Sequence, residues 1–288
     1  MQIIASGIMM GCIYALAAVG IILIYKSTNV VNFAHGEIAM LTSFVAFTLI
    51  FTLELNKFIA FLLAIVFSTL IGTLIYVLFM KRLSNVDPVN RVVLTLGLFL
   101  IFNGAAGWIW GYQAKPFPTV VSSKTVDFGL FILTRNELFI IGVTLLIVLL
   151  LFLIFKYTSL GLAMRATYQD QYATKLMGIE INKVYLFSWA IGTALGGLAG
   201  LLIAPSTFVS PNMMFEILIL AFAAAVLGGF TNIWGVILGG ILVGVFTNLI
   251  SYYISAEMKI VYVFLLIIIV LYVKPQGILG GKVLPKKV

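Results

Sequence analysis

The chain has 288 residues, of which 63% are apolar and only 9% are Asp, Glu, Lys or Arg. A soluble domain carries about a quarter charged residues, so an ordinary cytosolic protein and a disordered chain are both excluded. The formal charge of +8 does not point to nucleic acid, because the basic residues lie in short loops and near the C-terminus rather than along one face.

The first apolar run covers residues 3–25 and ends at Lys26 and the polar group Ser27-Thr28-Asn29. It lacks the basic segment of a cleavable signal peptide and is too long for one. The second run, 33–53, stops before Glu54 and Lys57, and the third, 58–80, stops at Lys81-Arg82. The fourth covers 92–111 and is followed by an external loop, 112–135, with Pro116 and Pro118. The remaining runs are 138–155, 184–204, 217–230, 234–254 and 260–273, the seventh and ninth short enough to be tilted, broken or re-entrant. A crossing helix takes about 20 residues, so eight or nine of them consume roughly 160–190 and leave no separate soluble domain. The expectation is an all-α polytopic transmembrane helix bundle of eight to ten membrane segments, best read as nine, forming a single integral membrane domain over residues 1–288.

Basic residues orient the array. Lys81, Arg82 and Arg91 face one acid, Asp87; the segment 156–183 has four positives against Asp170 and Glu180; the basic tail 274–288 has Lys274, Lys282, Lys286 and Lys287 and no acid. Placing all three inside satisfies the positive-inside rule and puts the C-terminus in the cytoplasm and the N-terminus outside. If the second segment re-enters without crossing, the N-terminal side inverts.

Glycines recur at four-residue spacing: Gly7 and Gly11; Gly192, Gly196 and Gly200; Gly240 and Gly244. Residues four apart share a helix face, so these mark grooves where backbones approach closely, within the subunit or against a partner. With one cysteine, Cys12, and one histidine, His35, neither an intramolecular disulfide nor a Cys/His zinc site is possible, and no metal site or cofactor is expected in this chain. The ionisable cluster near a span is Asn32-Phe33-Ala34-His35-Gly36-Glu37, with Asn103 adding an amide in the fourth run. Asn32 reads as an N-cap of the second helix, and Glu37 suits the dipole of its opening turns. His35 and Glu37 serve either structural pairing or a wet translocation path. Catalysis is disfavoured, since no nucleophile or metal-ligand set accompanies them.

The inner stretch 158–179 is the other distinctive region. Residues 163–177 contain no Pro or Gly and suit one short helix, with Met164, Ala173, Leu176 and Met177 apolar, Arg165, Asp170 and Lys175 charged, and Gly178 as its stop. Such a helix lies on the bilayer surface or docks into a groove of a soluble partner.

Three features in order carry a resemblance: Asn32-Phe33-Ala34-His35-Gly36-Glu37 after a Gly-rich first helix, the segment 165–178, and Lys274-Pro275-Gln276-Gly277 closing the last helix. With Leu227-Gly228-Gly229, Trp234-Gly235 and Gly239-Gly240, the chain resembles the permease subunit of branched-chain amino acid ABC importers up to about Gly277; the loop 112–135 matches least. The resemblance implies a multi-pass protein of the prokaryotic cytoplasmic membrane, paired with a second related permease. It implies a binding protein outside that delivers leucine, isoleucine or valine, and two ATPase subunits inside that hold ATP and Mg2+. Consistent with that division, the chain has no Gly-x-x-x-x-Gly-Lys-Ser/Thr loop. By position, Arg165, Tyr168, Gln169, Asp170, Lys175 and Gly178 would lie in the ATPase-coupling segment. Asn32, His35, Glu37 and Asn103 are the expected path or gate residues. The alternatives are an ABC permease for urea, short amides or a sugar, and a self-sufficient secondary carrier or channel.

Overall fold

The computed structural model describes residues 1–83, 86–122, 124–127, 129, 131–230 and 232–280. Lys282, Lys286 and Lys287 lie outside the described residues, so of the expected basic tail only Lys274 is placed. Among the described residues, nine apolar helices follow the nine apolar runs of the sequence: α1 (Gln2–Thr28), α2 (His35–Phe51), α3 (Lys57–Ile75), α4 (Pro88–Trp110), α5 (Arg135–Tyr157), α8 (Ile181–Thr207), α9 (Phe215–Gly228), α10 (Ile233–Tyr253) and α11 (Lys259–Val273). Two short polar helices, α6 (Ser159–Gln169) and α7 (Gln171–Leu176), stand between α5 and α8. Six of the helices are long and apolar enough to cross a membrane: α1, α3 with its extension to Met80, α4, α5, α8 and α10. The fold is an all-α polytopic bundle. Inside the loop 112–135 a small antiparallel hairpin, β1 (Thr125–Asp127) with β2 (Ile132–Thr134), is an element the apolar pattern did not reveal.

Side-chain caps mark where helices can begin. Asn56, Asp87, Thr134, Thr158, Asp170 and Asn232 each accept a bond from the first-turn amides of α3, α4, α5, α6, α7 and α10, offsetting donors that have no partner in the helix.

The centre of the bundle is α1, whose residues from Gly11 to Ile24 are all buried. A helix apolar on every face has no solvent side, so it belongs inside. Gly7 and Gly11 let α10 approach: a Cβ on Gly11 would lie 2.6 Å from the Ile241 Cα, and one on Gly7 2.7 Å from the Val245 Cα. From the other side, Gly240 and Gly244 abut Ala15 and Gly11, so the seam is backbone against backbone. Helix α8 packs along α1 and α2 through Gly192, which meets the Gly20 carbonyl and Ile24, and Gly200, which meets Ala39.

Two internal contacts fix directions. Gln2 bonds both ways to the Ile132 backbone, placing the start of α1 beside the hairpin. Lys115 pairs with Val209, so the end of α8 lies at that same end of the bundle. The other end carries Lys26, Arg91 and Lys274 and is called the basic end below. Both α1 and α8 have 27 residues, run in opposite directions, and are followed by a non-helical stretch and a shorter helix, α2 of 17 residues or α9 of 14. The two helix pairs thus share a long-then-short order in opposite directions, which the apolar pattern alone does not display.

Candidate functional site

The second helix starts inside the bundle. The run 33–53 suggested a helix of that extent, but α2 begins only at His35, whose ring sits against Gly20. Gly20 is eight residues, about 12 Å, inside α1 from its basic-end terminus Thr28. The chain therefore enters as a non-helical segment, 29–34, and turns helical only at depth. Asn32 does not cap α2 as expected. The N-cap is Ala34, and Asn32 stands two residues earlier, its Oδ1 accepting from the Ala34 amide at 3.1 Å.

His35 and Glu37 do not pair with one another. The imidazole is 1% exposed and fills the space left by two missing side chains: a Cβ on Gly196 would lie 2.6 Å from its Nε2, and one on Gly20 2.9 Å. Neither ring nitrogen makes a well-formed hydrogen bond, although the Ala17 backbone lies close enough to interact. The Asn32 Nδ2 is likewise buried without a partner. Gly20 was not among the glycines singled out from spacing, because the side chain it accommodates comes from another helix.

Glu37 points the other way and meets Asn103. The Asn103 Nδ2 donates to the Glu37 Oε2 at 3.3 Å and to the Pro211 carbonyl at 3.1 Å. One amide thus bridges the first turn of α2 and the segment that leads into α9. Gly36 packs against Met214 and Leu218, so the starts of α2 and α9 are neighbours. From this junction α2 runs to the hairpin end and α9 to the basic end, where Leu227 and Gly228 accept bonds from Ile278 and Leu279. Lengths of about 25 and 21 Å make each helix shorter than the ~30 Å hydrocarbon core. Of the expected path residues, Glu37 and Asn103 are brought together, His35 faces α1 and α8, and Asn32 lies buried in the segment before α2. Glu216, in the first turn of α9, is paired with Lys259.

At the basic end the expected single helix over 163–177 is two helices. Asp170 breaks it: its backbone is extended (φ −152°, ψ 109°), and its carboxylate accepts from the Tyr172 and Ala173 amides at 2.8 and 3.0 Å. Gly178, at φ +79°, stops α7 in the left-handed region that side chains avoid. The apolar residues assigned to one stripe separate accordingly. Met164 is fully buried and Ala173 half-buried, whereas Leu176 and Met177 are 74% and 77% exposed, as is Tyr172 at 74%. Gly161 lets α6 lie against the backbone of α5 at Ile154 and Phe155. Tyr168 reaches Ser188 of α8 at 3.1 Å and lies under the Lys26 ammonium at 5.4 Å from its ring centre. Burial pushes the Tyr168 phenol above its ordinary range, so it remains protonated at any physiological pH and can donate that bond. Arg165, Gln169, Asp170 and Lys175 are exposed. Among the described residues no group of three or more His, Cys, Asp or Glu could hold a metal ion.

The architecture defines a class: a multi-pass membrane helix bundle with a short, exposed pair of polar helices at its basic end. Comparison with known proteins narrows it. Residues 3–273 match the family described as branched-chain amino acid transport system / permease component, and the chain belongs to that family. The high-affinity branched-chain amino acid transport system permease protein LivH of Escherichia coli K12 is 31% identical over 294 residues, covering 97% of this chain and 95% of LivH. The permease protein BraD of Pseudomonas aeruginosa PAO1 is also 31% identical, over 293 residues with the same coverage. Among solved structures, a chain of PsaBC from Streptococcus pneumoniae, in complex with Fab, aligns with a TM-score of 0.50 over 96% of this chain and 91% of that one, at 17% identity. At that identity the likeness concerns the fold alone.

Proposed function

We propose that this chain is the membrane subunit of an ABC importer that moves leucine, isoleucine or valine into a prokaryotic cell, driven by ATP hydrolysis on two separate ATPase subunits. A second related permease completes the conduit, an extracytoplasmic binding protein delivers the cargo, and the basic end and C-terminus face the cytoplasm. The names of the relatives support the cargo. The observation that carries the mechanism is the α6–α7 segment, where Tyr172, Leu176 and Met177 project from a charged protrusion with nothing over them in this chain. Amphipathic helices of this kind dock into partner grooves.

Force applied to α7 has a route inward. Gly161 seats α6 on α5, and the Tyr168–Ser188 bond ties it to α8. Helix α8 in turn holds His35 at Gly196 and abuts α1 at Gly192, so a tilt of α8 displaces the start of α2. At that start the ends of two short helices offer partial positive charge to a carboxylate, and Glu37 offers a partner to an ammonium. An aliphatic amino acid zwitterion needs that pair of groups and an otherwise apolar passage, which the composition supplies. Asn103 holds Glu37 in place while the site is empty.

The test is leucine uptake into proteoliposomes holding this chain, the second permease, both ATPases and the binding protein. Uptake that requires ATP and every component is expected. Accumulation by this chain alone under an ion gradient would overturn the proposal in favour of a self-sufficient carrier. Competition by urea, short amides or a sugar in place of valine would move the cargo to those solutes.

A further inference from the structure

A cavity of about 500 Å3 opens at the basic end between α1, the end of α3, α4, α7 and α8. Arg91 and Lys175 bring two positive charges to its wall, and among the described residues that line it there is no Asp or Glu. The Arg91 Nη1 donates to the Thr28 carbonyl at 3.0 Å, which fixes the guanidinium, while its Nε is buried without a partner. The Tyr76 hydroxyl lies 3.3 Å from the Asn182 Oδ1, and Tyr185 also lines the cavity. Tyr76 and Met80 are presented by a π-helical turn, Tyr76–Met80, an irregularity that recurs at functional sites.

These groups select a ligand chemistry. A zwitterionic amino acid would leave its ammonium without a carboxylate partner, so transported cargo fits poorly. Two cations, one of them a braced guanidinium, together with hydroxyl and amide donors from several helices, match a group with several anionic oxygens. On the orientation proposed above, the cavity also lies where basic residues meet the anionic leaflet. We propose that this cavity binds a phosphate-bearing anion, supplied by a phospholipid headgroup or a soluble phosphate ester, which braces α7 against the spans through Lys175.

The full chain, purified in a neutral detergent and stripped of lipid, is titrated with phosphatidylglycerol or with glycerol 3-phosphate while its thermal unfolding midpoint is followed. Diacylglycerol is the phosphate-free control. A saturable rise with phosphatidylglycerol alone identifies the headgroup, and a rise with both compounds identifies the phosphate ester itself. Arg91→Gln and Lys175→Gln should each weaken the apparent affinity about tenfold, the effect of losing one charge-assisted bond. Arg135→Gln, at the opposite end, should leave it unchanged. Arg91 also holds the Thr28 carbonyl, so its variant can fail to fold; Lys175 is exposed and has no such duty. An equal rise with diacylglycerol, no saturable rise with either phosphate compound, or full affinity in folded Lys175→Gln would overturn the assignment.

Discussion

The junction where α2 begins and the α6–α7 protrusion use apolar residues in opposite ways. At the junction, glycines remove side chains so that backbones and one imidazole fit together, and His35, Asn32 and Glu37 are all at least 95% buried. On the protrusion, three large apolar side chains stand in the open beside Lys175 and Asp170. Close-packed interiors transmit displacement because they cannot absorb it, whereas exposed apolar groups beside charge await a partner. On the proposed function, one region moves as a unit and the other is gripped by a partner.

That contrast breaks most visibly at the α1–α10 seam. Gly11→Leu should give the largest effect of any single change, because even a Cβ there would overlap the Ile241 backbone, which has no rotamer to adopt. Overpacking costs about 1–3 kcal/mol where side chains can yield and more where they cannot. The expected result is loss of the monodisperse peak in size-exclusion chromatography of the detergent-extracted protein; a normal peak with normal uptake would show that the seam is soft. Gly196→Ala should be milder and informative, since the atom it meets belongs to His35. Adding His35→Ala should recover the unfolding midpoint lost in Gly196→Ala, and no recovery would mean that the ring does not set the spacing.

Much of this was legible in the sequence. Nine apolar runs became nine apolar helices, since a crossing helix needs little beyond length and hydropathy. The polar stretch from Asn32 to Glu37 is conspicuous among its apolar neighbours and overlaps the junction where α2 begins. What periodicity could not convey was its depth, which depends on Gly20 and Gly196 lying opposite His35 in space. Nor could it convey that Asn103 would meet Glu37, 66 positions away in the chain. The break at Asp170 escaped for a local reason. Without Pro or Gly the pattern ran on through 163–177, yet an Asp can cap a new helix as readily as it can sit in an old one.

The Glu37–Asn103 contact sharpens the comparison from the junction side. Asn103→Leu removes the amide that satisfies a buried carboxylate, a loss of about 1–3 kcal/mol. Leucine uptake by the assembled transporter should fall about tenfold or more, with the purified complex intact. Glu37→Gln keeps shape and burial, so it should lower uptake through the lost charge and leave the unfolding midpoint nearly unchanged. Equal uptake in both variants would place the path elsewhere.

On the protrusion the effects should be smaller and confined to partners. Leu176→Asp puts a charge on an exposed apolar site, so the chain itself should fold normally while capture of the ATPase subunits drops about tenfold. Asp170→Ala should have the smallest effect, and it separates docking chemistry from docking geometry. The carboxylate caps two amides of α7, and losing such a cap costs about 1 kcal/mol. A six-residue helix has little other internal stability, so the loss appears as fraying of α7 rather than of the bundle. Capture should weaken severalfold while the global unfolding midpoint stays put. Asp170→Asn and Asp170→Ser, which retain a capping oxygen without the charge, should restore most of it. If they do not, Asp170 acts as a charge toward the partner, and the break in the helix is incidental to coupling.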